Sequence, residues 1–334
     1  MRIAVIGAGA VGGAIAALLE RAGHDIEVTA RGQHLAAIRD GGIRLDGAWG
    51  EYTADVTANE QLTRGAEMVI VATKASDATA AIASNIPMLR DVPVIVIQNG
   101  LAAMAAASAA SPHSDIVGGL ATFATSHLSP GRITVTTAGP LYLGVLDDDR
   151  DVPARYAANV LAEVVPTTVV PNFIGAQWTK LVINQVNALP AITGLSVQAV
   201  IADNGLRRIM TASMRENVRL GIASGIRFEN LQGLSHGGLQ LFAAMPLSVG
   251  QILPLVMSRR IGATPNPGST LQSIRRGQPT EIDYLNGAVA DAAQALGRRA
   301  PVNSALVELV HEVEASGEFI TPAQVMERAH PDRA

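Results

Sequence analysis

The chain has 334 residues, 48% of them hydrophobic, with a mean hydropathy of +0.26 and a formal net charge of −4. That length and composition supply buried cores for two domains and exclude a disordered chain, and a small charge without any basic run removes support for a nucleic-acid surface or an anionic-membrane patch. The absence of cysteine excludes disulfides, thiolate catalysis and cysteine-held metals, and points to a cytoplasmic protein whose partners are small molecules.

Met1 and Arg2 lead straight into the apolar run Ile3 to Ile6, which suits a buried parallel strand and leaves no room for a signal peptide. Gly7, Gly9 and Gly12 follow at the G-x-G-x-x-G spacing, where an amphipathic helix begins that Gly23 ends. Gly7 allows the tight turn, Gly9 lets a pyrophosphate approach bare backbone, and Gly12 lets the helix lie close to the strand. A plain strand-to-helix turn can carry the same glycines. Their setting between a first strand and a second strand-like run from Asp25 to Ala30 predicts a dinucleotide site, with the helix N-terminus facing the phosphates.

An acid at the end of the second strand ordinarily binds the adenosine ribose of NAD. Here that place reads Thr29, Ala30, Arg31, and Glu27 lies inside the strand, too early for the task. The Arg31 guanidinium suits a 2′-phosphate. Lys74, after the apolar run Met68 to Thr73, stands at the end of a later strand and can reach the same group. The expected cofactor is therefore NADP, although each cation taken alone reads equally well as a solvated surface charge.

Strand patterns near 2–6, 25–29, 68–72, 93–97 and 116–120 alternate with helical stretches, which predicts an α/β fold with a Rossmann-type doubly wound parallel sheet. Leu101 to Ala110 reads as a helix of low bulk, and no stretch reaches the length of a membrane span. Arg132 to Ala138 and Leu141 to Gly144 read as antiparallel strands added at one edge of that sheet. A short extended segment, Thr167 to Val170, closes the first domain and sets the expected boundaries at 1–171 and 172–334.

From Asn172 onward the periodicity is helical, at 174–190, 204–223, 281–296 and 303–315, which predicts an all-helical second domain. Such a domain can offer a homodimer surface, although the oligomeric state itself is not readable from the sequence. The segment 231–267 is broken by glycine and proline and reads as short helices, either lining a pocket or simply adding to the core. Within 174–190, Lys180, Asn184 and Asn187 fall within about 60° of one another on one helix face. An exposed polar face is the simpler reading; a buried one would require partners for each group. Farther on, Thr280 is the expected N-cap of a helix, with Asp283 completing a Thr-x-x-Asp box and Glu281 in the first turn, where acids favour a helix in any case. The seven histidines, at 24, 34, 113, 127, 236, 311 and 330, show no metal-ligand spacing, and Ser269 has no histidine close in sequence.

Four separated motifs in order resemble the ketopantoate reductase (2-dehydropantoate 2-reductase) family over nearly the whole chain. They are the glycine turn, Gln98-Asn99-Gly100, Lys180 with Asn184, and Asn266 and Ser269 leading to the run from Glu281 to Gly287. The resemblance implies NADPH-dependent reduction of a 2-keto acid, with 2-dehydropantoate as the leading substrate. It makes Lys180 the general acid at the ketone oxygen and gives Glu281 contact with the substrate hydroxyl. It puts Asn99 by the nicotinamide, Asn184, Asn266 and Ser269 on substrate, and Arg31 and Lys74 on the 2′-phosphate. The family's second asparagine, four residues after the first, is Ala188 here; Asn187 comes one residue sooner and is expected to face the pocket in its place. No asparagine stands in 191–197, and 231–265 is longer than the usual connection. These departures keep open a paralogue that reduces another 2-keto acid or an imine. From another class, a non-catalytic NADP-binding sensor remains a reading, against which an acid and a carboxylate speak.

Overall fold

The computed structural model describes residues 1–146, 151–261 and 265–331. The chain divides into two compact units, Met1–Phe173 and Ile174–Ala334.

The first unit is α/β. Its strands, in chain order, are β1 (Arg2–Ile6), β2 (Asp25–Thr29), β3 (Ile43–Gly47), β4 (Tyr52–Ala54), β5 (Thr57–Asn59), β6 (Met68–Val71), β7 (Pro93–Ile97), β8 (Asp115–Ala121), β9 (Ala124–Ser129), β10 (Arg132–Thr137), β11 (Leu141–Gly144) and β12 (Thr167–Val169). Helices α1 (Ala10–Arg21), α2 (Gly32–Gly41), α3 (Ala75–Ala83), α4 (Ala103–Ala110) and α5 (Val152–Leu161) connect them. The main sheet has eight strands in the order β12-β11-β8-β7-β6-β1-β2-β5, parallel throughout except where β11 runs against β8. Continuous apolar strands are what two covered faces demand. In β1, Ile3 and Val5 join one core while Ala4 and Ile6 join the other, and all four are essentially inaccessible. The strand order reverses between β1 and β6, and ligands of such sheets bind outside the carboxyl ends of the strands at that point.

One sequence expectation is corrected here. Leu141–Gly144 does pair antiparallel with β8, but Arg132–Thr137 is not at the edge of this sheet. It belongs to a second, four-stranded sheet ordered β4-β3-β10-β9, antiparallel to β9 and parallel to β3. The cause is visible in its burial. Ile133 and Val135 are buried and their neighbours are not, so the strand offers one apolar face, which the second sheet lays over α1.

The second unit is helical: α6 (Phe173–Asn184), α7 (Ala188–Thr193), α8 (Val197–Ala202), α9 (Asn204–Ala223), α10 (His236–Ala244), α11 (Leu247–Gly250), α12 (Ile252–Ile261), α13 (Gly268–Arg275), α14 (Ala288–Ala295), α15 (Pro301–Ser316) and α16 (Pro322–Ala329). The expected helix over 174–190 is two helices. Pro190 has no N–H and its ring collides with the carbonyl four residues back, so it fits only in a first turn, where α7 places it. The chain tightens before it through i to i−3 bonds, Gln185 to Val182, Val186 to Ile183 and Asn187 to Asn184. The broken segment after 231 does form short helices, α10 to α12, and residues 262–264 of it lie outside the described residues. Among the described residues, no helix is long and apolar enough to cross a membrane.

Candidate active site

The glycine turn occupies the switch point of the sheet. Gly7 has φ +96°, and a Cβ there would come within 2.8 Å of the Thr73 backbone nitrogen and Cγ2. At Gly12 a Cβ would strike the Gly7 carbonyl and lie 2.9 Å from Ala72 Cβ, so this residue sets how closely α1 approaches the strands. Gly9, by contrast, caps α1 with ordinary dihedrals, and a Cβ there would meet nothing within 4 Å. Open space at the second glycine and a first turn without a side-chain cap fit a pyrophosphate held by backbone N–H groups. Thr29, at the end of β2, fixes the turn by accepting the Gly7 N–H on Oγ1 (3.0 Å) and the Ala8 N–H on its carbonyl (2.8 Å).

The carboxylate of Glu27 is 1% exposed and committed to the loop after β5. It accepts from Asn59 Nδ2 (3.0 Å), Thr63 N (2.9 Å), Thr63 Oγ1 (2.7 Å) and Arg64 N (3.2 Å). Burial alone would raise its pKa, but these donors outweigh it and hold the carboxyl below its usual range. Glu27 is thus spent on structure. Arg31, exposed, sits at the N-cap of α2, and Lys74 at the N-cap of α3, one beyond β2 and the other beyond β6. Asn99 follows β7, next to Gly100 with φ +92°, and Gln98 Nε2 donates to the Thr73 carbonyl (3.2 Å), tying the end of β7 to that of β6. Topology therefore brings Gly7, Arg31, Lys74 and Asn99 to the carboxyl ends of neighbouring strands.

In the helical unit, Lys180 and Asn184 stand one turn apart on α6. Both are half-buried, beside the buried Trp178, Leu181 and Val182. Burial lowers the Lys180 pKa from 10.5 to about 8, and the negative charge of Glu281 opposes that shift. Lysine and glutamate are thus close enough to feel one another. Glu281 precedes a five-residue π-helical segment, Asp283–Gly287, that leads into α14. Such segments recur at functional sites.

The expected capping box at Thr280 is absent. Thr280 Oγ1 accepts from Ile282 N (3.3 Å), while the Thr280 N–H goes to Glu314 Oε1 (2.6 Å) rather than to Asp283. Asp283 instead takes His311 Nε2 (2.9 Å), whose Nδ1 meets Glu314 Oε2 (2.7 Å). A long-range clamp onto α15 does the work that the local box was expected to do.

Asn187 also differs from expectation. With α6 ending at Asn184, the arithmetic of one continuous helix does not reach it. The residue is 8% exposed; its Nδ2 donates to the Asn184 carbonyl (3.1 Å) and its Oδ1 accepts from Ser269 N (3.1 Å). Asn266 makes a similar local commitment: Oδ1 accepts from Gly268 N (2.8 Å), and its carbonyl takes Val197 N (2.8 Å). Ser269 is exposed at the start of α13. The structure thus joins Asn187 to Ser269 and Lys180 to Glu281. Among the described residues there is no cluster of three or more side chains able to hold a metal ion.

Comparison with known proteins agrees with the architecture of an α/β unit followed by a helical one. The family model for ketopantoate reductase PanE/ApbA matches residues 3–148, and that for its C-terminal part matches 172–314. The chain belongs to the ketopantoate reductase family. Membership makes it an oxidoreductase acting on a CH–OH group. The 2-dehydropantoate 2-reductase of Pyrococcus horikoshii is 26% identical, over 95% of this chain and 99% of its own length. That of Mesorhizobium japonicum is 27% identical, over 94% and 98%. Among solved structures, a PanE/ApbA family ketopantoate reductase from Ralstonia eutropha JMP134 aligns with a TM-score of 0.78 and 28% identity, over 94% of this chain and 99% of that one. D-mandelate dehydrogenase in a ternary structure with NADH and anilino(oxo)acetate aligns with a TM-score of 0.81 at 20% identity, over 95% and 99%, and shares the fold.

Several residues of this family member escaped sequence reasoning. Gln185 and Asn286, both fully buried, meet through Asn286 Nδ2 and Gln185 Oε1 (2.6 Å). The Ser213 hydroxyl is shared between Gln185 Oε1 (2.7 Å) and Asn303 Oδ1 (2.9 Å), and Asn303 Nδ2 donates to Glu216 (2.7 Å). Gln185 and Asn286 each follow a candidate catalytic residue by five positions, so this polar hub ties the lysine helix to the glutamate segment. Polar residues interrupting an apolar stripe were its only signal. Gly13 was missed as well: a Cβ there would run into Ile133 Cδ1 of the second sheet.

Proposed function

We propose that the protein reduces 2-dehydropantoate to pantoate with NADPH. The observation that carries this reading is the Lys180–Glu281 pair, in which a half-buried ammonium with its pKa lowered to about 8 lies within the field of a carboxylate, in a chain of this family. Reduced nicotinamide, when bound, supplies the hydride. Lys180 holds its ammonium toward the ketone oxygen, stabilises the charge growing there and gives up a proton from Nζ as the carbonyl carbon is reduced, so that the oxygen leaves as a hydroxyl. Lys180 then regains its proton from solvent. Glu281 orients the substrate hydroxyl and keeps the lysine charged in the ground state; Asn184 and Ser269 hold the remaining polar groups of the substrate. Asn187 supports Ser269 through its backbone N–H, and Asn266 shapes the turn that carries it.

For the cofactor, Gly7, Gly9 and Gly12 form the pyrophosphate turn, Asn99 serves the nicotinamide end, and Arg31 with Lys74 takes the 2′-phosphate. The preference for NADP is supported by the committed state of Glu27, the acid nearer the carboxyl end of β2; the other, Asp25, opens the strand and pairs with Arg2 and Arg64.

A second reading, a family paralogue acting on another 2-keto acid, is favoured by one feature. The lysine helix stops at Asn184, and the following asparagine braces Ser269. Initial rates of NADPH oxidation with 2-dehydropantoate and a panel of smaller and bulkier 2-keto acids separate the two. Selective turnover of 2-dehydropantoate is expected. Faster turnover of another keto acid would transfer the assignment to it and keep the mechanism.

A further inference from the structure

The glycine turn is held from outside by a side chain that the reaction does not use. His34, on the first turn of α2 and half-buried, places Nε2 2.7 Å from the carbonyl oxygen of Ala8, the residue between Gly7 and Gly9. On the other side of the ring, Nδ1 lies 3.0 Å from the backbone N–H of Gly131, in the turn between β9 and β10. A backbone N–H can only donate, so Nδ1 is the acceptor and the ring proton sits on Nε2, donated to Ala8. Both partners together fix a neutral imidazole in one tautomer. An imidazolium has no lone pair to offer Gly131.

The consequence for the turn follows from the peptide bond. The Ala8 carbonyl and the Gly9 N–H belong to one planar trans unit and point to opposite sides. By holding the carbonyl, His34 turns the Gly9 N–H the other way, at the glycine whose Cβ position is open space. Gly131 is in turn anchored through its carbonyl to Arg44 N (2.8 Å), so the ring links the dinucleotide turn to the second sheet. The His127 ring packs against it, with centroids 4.3 Å apart.

We propose that His34 is a positioning residue for the cofactor: its imidazole, held on the far side by the Gly131 N–H, donates to the Ala8 carbonyl and orients the phosphate-binding turn. This rests on the dinucleotide reading of the turn, not on the identity of the keto acid.

The test is equilibrium titration of the full chain with NADPH and with NADH, in wild type, His34→Ala and His34→Gln. His34→Ala should raise the Kd of both cofactors about tenfold, with kcat at saturating cofactor within about twofold of wild type; the Gln variant, whose amide N–H reaches the same carbonyl, should recover most of the affinity. Unchanged affinity in His34→Ala, or no recovery in His34→Gln, would overturn the clamp. Should the Ala variant fail to fold, His34→Leu, which fills the space without a donor, decides in its place: it should weaken both cofactors, and unchanged affinity would overturn the clamp. If wild type binds neither cofactor, the dinucleotide reading itself falls, which is a distinct outcome.

Discussion

Lys180 is where burial and charge set a chemical property that activity can report. Desolvation disfavours its ammonium and Glu281 favours it, leaving a group that changes charge at about pH 8 rather than 10.5. As the proposed acid it must be protonated, so kcat/KM for keto acid reduction should be level below about pH 8 and fall about tenfold per pH unit above it. Lys180→Ala should lose about 10²–10⁴-fold in kcat with cofactor affinity preserved. Glu281→Gln should move the alkaline limb to lower pH, because the opposing charge is gone; a limb that does not move would detach Glu281 from the lysine. At this scale the sequence was readable wherever neighbours in the chain decide the chemistry. Gly7, Gly9 and Gly12 work through spacing alone, whereas His34 draws its role from Ala8 and Gly131, which are 26 and 97 positions away. No local pattern encodes such a triple.

The elements that carry the candidate site depart from regular helices, and each departure has an anchor. The turn bearing Glu281 is pinned by Glu314 to the Thr280 N–H and by His311 to Asp283. Burial would lower the His311 pKa, but the hydrogen bonds and charges of Asp283 and Glu314 outweigh it and raise the value above 6.5. A raised folded-state pKa means that the clamp contributes fully below 6.5 and is lost as pH rises through the folded value. His311 is 46% exposed, so solvent screening limits the contribution to about 1 kcal/mol or less. Thermal denaturation should show His311→Gln less stable than wild type in mild acid and nearly equal to it in mild alkali; a difference that grows with pH would refute the assignment. Helix existence was legible from the apolar period, and Pro190 carried the signal for the break after Asn184. The π segment was not legible, since an inserted residue leaves the apolar pattern of Ile282, Leu285 and Val289 compatible with an ordinary helix. The placement of β10 was half legible: alternation announced one buried face but not that α1 would supply its cover.

For the whole molecule, the glycine turn lies in Met1–Phe173 and the lysine and glutamate in Ile174–Ala334, so the proposed function gives the two units separate roles. The chain's two tryptophans are divided the same way: Trp49 packs on Phe123 at 4.9 Å in the first unit, and Trp178, 6% exposed, lies in the second. Trp178→Phe therefore leaves a reporter of the α/β unit, and Trp49→Phe one of the helical unit. A ligand that binds only the folded form stabilises it by RT ln(1 + [L]/Kd), about 2.7 kcal/mol at a hundredfold excess over Kd. Oxidised cofactor serves here because it leaves tryptophan emission unabsorbed. NADP should raise the unfolding midpoint seen by Trp49 at least as far as that seen by Trp178, since the glycine turn, Arg31 and Lys74 all belong to the first unit. NAD at equal concentration should do less, and Arg31→Ala should remove the advantage of NADP, because only the 2′-phosphate distinguishes the two ligands and the Arg31 guanidinium is the group that suits it. A midpoint that moves only in the Trp178 reporter would place the cofactor on the helical unit. An advantage of NADP that survives in Arg31→Ala would shift the phosphate contact to Lys74, the other cation at the carboxyl ends of these strands.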